Sequence, residues 1–209
     1  MERKLTEEQI MRKIDSLRKQ KDFLSVEEVL LLAERNSILD PFSLLISRDV
    51  SIGEENNFYP NVVVENQKGT IKIGNENNFY PGTVLSTVKG AIQIGNSNIF
   101  GPGFVNILAQ EDSRIEIRSN GRYVNGINII GNCMFGDGSQ VLGGVITVQD
   151  SELANGESFF FENPDERGAV LKGMGLAKGI RLKKGEVIQG FGVFDQQQRT
   201  MQSSYHPPR

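Results

Sequence analysis

The chain has 209 residues but only one cysteine, one histidine and no long apolar run. With Cys133 alone there is no internal disulfide and no multi-cysteine zinc site. No stretch approaches the roughly 18 apolar residues that a membrane span needs. The opening MERKLTEEQIMRK has no apolar core, so no secretory signal is expected there. Charge of one sign is scarce too: 23 Lys and Arg against 26 Asp and Glu leave a formal net charge of −3. No global basic field therefore points to nucleic acid. A cytoplasmic protein is expected, with no membrane and no nucleic-acid partner. Its length suits one main core plus an accessory element.

What the sequence does have is repetition. IGEENNFYPN begins at Ile52, IGNENNFYPG at Ile73 and IGNSNIFGPG at Ile94, each 21 residues after the last. Every copy carries an aromatic at its seventh position (Phe58, Phe79, Phe100) and a proline two residues on (Pro60, Pro81, Pro102). A degenerate copy starts at Ile129, where Phe135-Gly-Asp-Gly echoes Phe100-Gly-Pro-Gly. Further on, Val170, Leu176, Leu182, Ile188 and Phe194 recur every six residues, with Gly173, Gly179 and Gly185 midway. A period of six does not keep a stripe on one face of a helix. It fits short strands joined by tight turns, one inward aliphatic per side and three sides to a coil. A 21-residue coil is then three sides of six with a small bulge at a corner.

From about Ser43 to Phe194 this pattern resembles the hexapeptide-repeat family. The resemblance implies an all-β solenoid, a left-handed parallel β-helix of triangular section with a short N-terminal helical cap. Residues 1–40 are expected to form the cap, 41–195 the β-helix and 196–209 an extended tail. At about 4.8 Å per strand, seven or eight coils would make a prism roughly 35 Å tall. Asn56, Asn77 and Asn98 should then stack, as should the three phenylalanines, mainly as building units of the solenoid. The cap is read from two capping boxes, Thr6 with Gln9 and Ser25 with Glu28, each leading into an amphipathic helix. It would cover the open edge of the first coil. The tail, DQQQRTMQSSYHPPR, has no apolar period and should lie along the prism or reach a neighbouring subunit.

Most family enzymes are acyltransferases whose general base is a coil-borne histidine, and a γ-type carbonic anhydrase branch holds a metal with three. The only histidine here is His206, in the tail, so a three-histidine metal site is excluded within the chain and the usual coil histidine is missing. Carboxylates that could replace it are Glu65, Glu111, Asp112, Asp137, Asp150 and Glu152. His206 and Asp137 are the catalytic candidates. Arg114 to Gly126 breaks the coil spacing around Asn120-Gly121 and reads as a projecting hairpin, making Arg118, Arg122 and Tyr123 candidates for a phosphate or carboxylate ligand. Arg167, Lys172, Lys178, Arg181, Lys183 and Lys184 form a basic ladder. By resemblance, Lys178, Lys183 and Lys184 would meet the phosphates of acetyl-CoA, the family's usual acyl donor. Two readings follow. One is a homotrimeric binding or scaffold protein that has lost the base, as in the β-helical subunits of dynactin, whose endings VIQGFGVF through YHPP resembles. The other is an acetyltransferase acting on a sugar or similar small acceptor.

Overall fold

A computed structural model describes residues 4–206. The expected class is what the chain forms: a solenoid whose coils pair in parallel, preceded by helices α1 (Glu7–Gln20) and α2 (Val26–Leu32). Seven strands stack along one side, and the other two sides share a second, 14-stranded sheet. Three columns of inward side chains define the three sides. Ile52, Ile73, Ile94, Ile117, Phe135, Leu153 and Leu182 make the first. Ile38, Phe58, Phe79, Phe100, Tyr123, Val141, Leu171 and Ile188 make the second. The third runs from Ile46 through Val64, Leu85, Ile107, Ile129 and Val148 to Ala177. Nearly all of these are fully buried, each aliphatic contributing about 1.5–3 kcal/mol by leaving water.

The repeated phrase builds the corner between the first two sides. Phe58, Phe79 and Phe100 stack with centroids 5.0 and 5.1 Å apart, and the ring column continues through Tyr123 at 5.3 Å. Beside it Asn56, Asn77 and Asn98 are fully buried and bonded in series. The left-handed corner residue is the one just before each asparagine, namely Glu55, Glu76 and Ser97 at φ 59, 59 and 56°. The asparagine is thus free to serve as a buried rung.

Three expectations are corrected. Arg114 to Gly126 is not a projecting hairpin but a regular coil, in which Ile117 continues the Ile94 column and Tyr123 the Phe100 column. Arg118, Ser119 and Gly121 simply replace the Gly, Asn and Asn of the phrase. The degenerate copy is also in a different register, since Phe135 takes the place of Ile94 rather than of Phe100. Finally, Leu182, Ile188 and Phe194 point inward, but Val170 and Leu176 are displaced by one residue in favour of Leu171 and Ala177. The cause is the corner at Lys178-Gly179, which carries the chain from Ala177 to Leu182 in five residues instead of six.

What projects is a segment the repeat did not announce. From Leu153 to its partner Leu182 the chain takes 29 residues, against 18 from Phe135 to Leu153. The excess forms a loop over residues 156–168, ending in the short turn Pro164–Glu166. The tail folds back against it. Thr200–Met201 pairs antiparallel with Glu186 and Val187, and Gln202, almost fully buried, donates from Nε2 to the Gly168 carbonyl at 2.8 Å. Ser203 N donates to Asp165 Oδ1 at 2.8 Å. Loop and tail are therefore latched to each other. No helix among the described residues is long and apolar enough to cross a membrane.

Candidate functional site

Between that loop, the tail and the outer face of the second side lies a cleft of about 430 Å³. Its floor is the outward row of three adjacent strands. Gln140, Val170 and Val187 sit in register there, and Leu142, Lys172 and Gln189 two residues further on. These positions alternate with the core residues Val141, Leu171 and Ile188, so the period of two that fills the core also lines the cleft. Val170, expected in the core, is buried instead beneath the tail. Phe159 and Phe160 of the loop form one rim, Tyr205 and His206 of the tail the other.

Arg122 reaches the cleft from the coil below. Its guanidinium carbon lies 4.6 Å over the Phe159 ring. The side chain is half-buried, and loss of hydration lowers its pKa. Its Nε is the one buried side-chain nitrogen or oxygen among the described residues with no hydrogen-bond partner. A buried donor left unmet costs about 1–3 kcal/mol, which the aromatic face beside it offsets in part. Arg167 and Lys172 add two more cations. Arg167 Nε is bonded to the Phe161 carbonyl at 2.7 Å, which holds the loop over the cleft. No carboxylate lines the cleft among the described residues. Of the loop's four acids, Glu166 pairs with Lys184 and Asp165 accepts from the tail, and neither Glu157 nor Glu162 lines the cleft.

The sequence candidates thus separate. Arg122 and His206 meet in this cleft. Tyr123 does not: it is fully buried in the ring column, its hydroxyl 2.9 Å from Ser139 Oγ and its pKa raised by burial. A side chain walled in this way cannot touch a ligand. Arg118 turns to another side, where with Arg181 and Lys183 it borders a shallow groove of about 340 Å³. There two of the three cations face carboxylates, Arg118 lying 3.6 Å from Glu116 and Arg181 3.6 Å from Glu152. Lys184 is paired with Glu166, and Lys178 borders neither cavity.

Asp137 is a corner residue. Its Oδ1 accepts from Ser119 N at 2.8 Å, and its own N donates to Asn155 Oδ1 at 3.0 Å. It continues a polar ladder in which Asn75 Oδ1 accepts from Glu54 N and Asn96 Oδ1 from Asn75 N. What the sequence reading missed is the loop rim, Phe159 and Phe160. The run SFFFENPDE, three consecutive phenylalanines in the one long gap between coils, was the available signal.

No protein-family model matches the chain, and no curated protein matches it. Among solved structures, LpxA from Acinetobacter baumannii aligns at 17% identity with a TM-score of 0.36, covering 75% of this chain and 70% of that one. At that level the likeness carries no conclusion about function.

Proposed function

We propose that the chain is a left-handed hexapeptide-repeat protein of the acyltransferase superfamily, a homotrimer that binds a small anionic molecule in the cleft beneath the Phe159–Phe160 loop. One observation carries the reading: Arg122, Arg167 and Lys172 line that cleft with no carboxylate among its described lining residues. Three like charges around one concavity repel each other, and a phosphate or carboxylate relieves that repulsion while meeting their donors. Trimer formation is supported by an apolar ridge at another corner. Phe104, Val145, Met174, Phe191 and Val193 are all exposed, Met174 and Phe191 in register on adjacent coils and Val193 two residues on from Phe191.

A second reading is favoured by the position of His206, the only histidine, on the rim of the same cleft. In that reading its imidazole takes the proton from an acceptor hydroxyl or amine as the acceptor attacks the thioester carbonyl of acetyl-CoA, and coenzyme A thiolate leaves.

Calorimetric titration with inorganic pyrophosphate tests the binding reading. Saturable binding that Arg122→Gln and Lys172→Gln each weaken by about tenfold, with Arg118→Gln unchanged, is expected. Absence of any heat at millimolar pyrophosphate would overturn it. Thiol release from acetyl-CoA tests the second reading. The expected result is turnover that His206→Ala lowers by about a hundredfold.

A further inference from the structure

Far from the cleft, helix α1 carries an apolar stripe that the described residues leave uncovered. The helix is fixed by its other face. Arg18, almost fully buried, donates from Nε to the Leu24 carbonyl at 2.7 Å and from Nη1 to that of Pro41 at 3.2 Å. Asp15 Oδ1 accepts from Val26 N at 2.8 Å. Ile10 and Leu17, which make α1 amphipathic in sequence, stay 44% and 51% exposed, and Ile14 is half-buried between the two faces. Glu7, Ile10, Ile14, Leu17 and Lys21 follow one another at alternating steps of three and four residues. That spacing holds side chains in one seam, the kind a second helix packs against.

We infer that this seam docks on the same seam of a second copy of the chain, the two helices antiparallel about a two-fold axis at Ile14. Charge selects both the partner and the direction. Glu7 lies seven residues before Ile14 and Lys21 seven after it, so the two-fold sets Glu7 of each chain beside Lys21 of the other. Both are exposed, and neither belongs to an ion pair among the described residues. Ile10 of each chain then falls beside Leu17 of the other, offset by about 1.5 Å of helical rise. A parallel pair, or helices gathered around a three-fold axis, would bring like charges together and repel. The contact is therefore distinct from the ridge proposed for the trimer, and it joins two assemblies cap to cap. Exposed ion pairs add little energy, so the charges set direction while the apolar residues supply affinity. With three apolar positions per helix the contact is weak, with a dissociation constant on the order of 0.1 mM.

Sedimentation of the full-length chain from about 10 μM to about 1 mM brackets that constant and tests the inference. The mass at the top of the range is expected to be twice that at the bottom. Glu7→Lys alone and Lys21→Glu alone should each abolish the doubling, with helix content and the low-concentration mass unchanged. An equimolar mixture of the two single variants should regain it, because each then faces an opposite charge. Ile10→Ser with Leu17→Ser should abolish it beyond rescue. A native chain whose mass does not rise overturns the inference and leaves the stripe to a helix of some other protein. Doubling that survives Glu7→Lys, or single variants that fail to associate when mixed, also overturns it.

Discussion

The side-chain oxygen of Asn56 accepts two hydrogen bonds from Asn77, one from its backbone N at 2.9 Å and one from Nδ2 at 3.0 Å. Asn98 repeats the arrangement on Asn77, at 3.0 Å for both. Below, Asn56 does the same on Asn36, and above, Gly121 N closes the row on Asn98. Each amide also bonds a corner carbonyl, Asn77 Nδ2 that of Gly95 at 2.9 Å. A buried rung is thus satisfied by its neighbours alone, without water.

Removing one rung should therefore be costly. Asn77→Ala strips the acceptor from Asn98 and the donor from Gly95, and should destabilise the chain by about 3 kcal/mol or more, at about 1–3 kcal/mol per unmet buried group. The Asn75 side-chain oxygen accepts from Glu54 N on the exposed outer ladder, so Asn75→Ala should cost about 1 kcal/mol. Equal losses in urea denaturation would contradict the buried ladder as a source of stability.

Acid should loosen the cap before the coils. Arg48 holds Glu28 by two bonds, 2.8 and 2.6 Å, joining α2 to the first coil. That pair, helped by the Ser25 backbone N–H, lowers the Glu28 carboxyl from 4.5 to about 2. A depressed carboxyl stabilises the folded state fully above its unfolded pKa, and the contribution is lost as pH falls from 4.5 toward 2. Amide protection in α2 should drop between about pH 5 and about pH 2 in the native chain, and much less in Glu28→Gln. Identical profiles for the two would show that the pair does not fasten the cap.

Cys133 should be inert. Burial pushes its thiol up to about 11, and the thiolate is the reactive form. A disulfide reagent at neutral pH should find no thiol in the native chain and one after denaturation. Rapid labelling of the native protein would mean that this coil opens readily.

The ridge should set the assembly. Light scattering is expected to give three times the 23.2 kDa chain mass, and Phe191→Asp with Val193→Asp to give the single-chain mass with the fold intact. A native monomer at micromolar concentration, or a trimer indifferent to these changes, would contradict the proposal.

The solenoid was legible because each coil repeats the same local choices. Ile52, Ile73 and Ile94 announced one column, and the Asn and Phe positions announced its corner. Where the phrase decays, the register was lost: Tyr123 takes the place of a Phe, and of the phrase before it only Ile117 remains, so it read as a loop residue. Asn36 was invisible for the same reason, since its coil carries Ile38 in place of the aromatic. The cleft was harder still. Lys172 and Val170 read as parts of periodic ladders, and only the fold-back of the tail and the 156–168 loop makes their outer surface concave. Such long-range closure leaves no period in the sequence, and Arg122 and His206 were named without any indication that they meet.

The most direct test of the central claim is to see where an anion goes. Crystals of the native chain soaked in tungstate should show an anomalous peak beneath the Phe159 ring, within hydrogen-bonding distance of Arg122 and Lys172. Crystals of Arg122→Gln should lack it. The account is contradicted if that cleft stays empty while tungstate settles at the Arg118, Arg181 and Lys183 groove, where Arg118 and Arg181 already face Glu116 and Glu152.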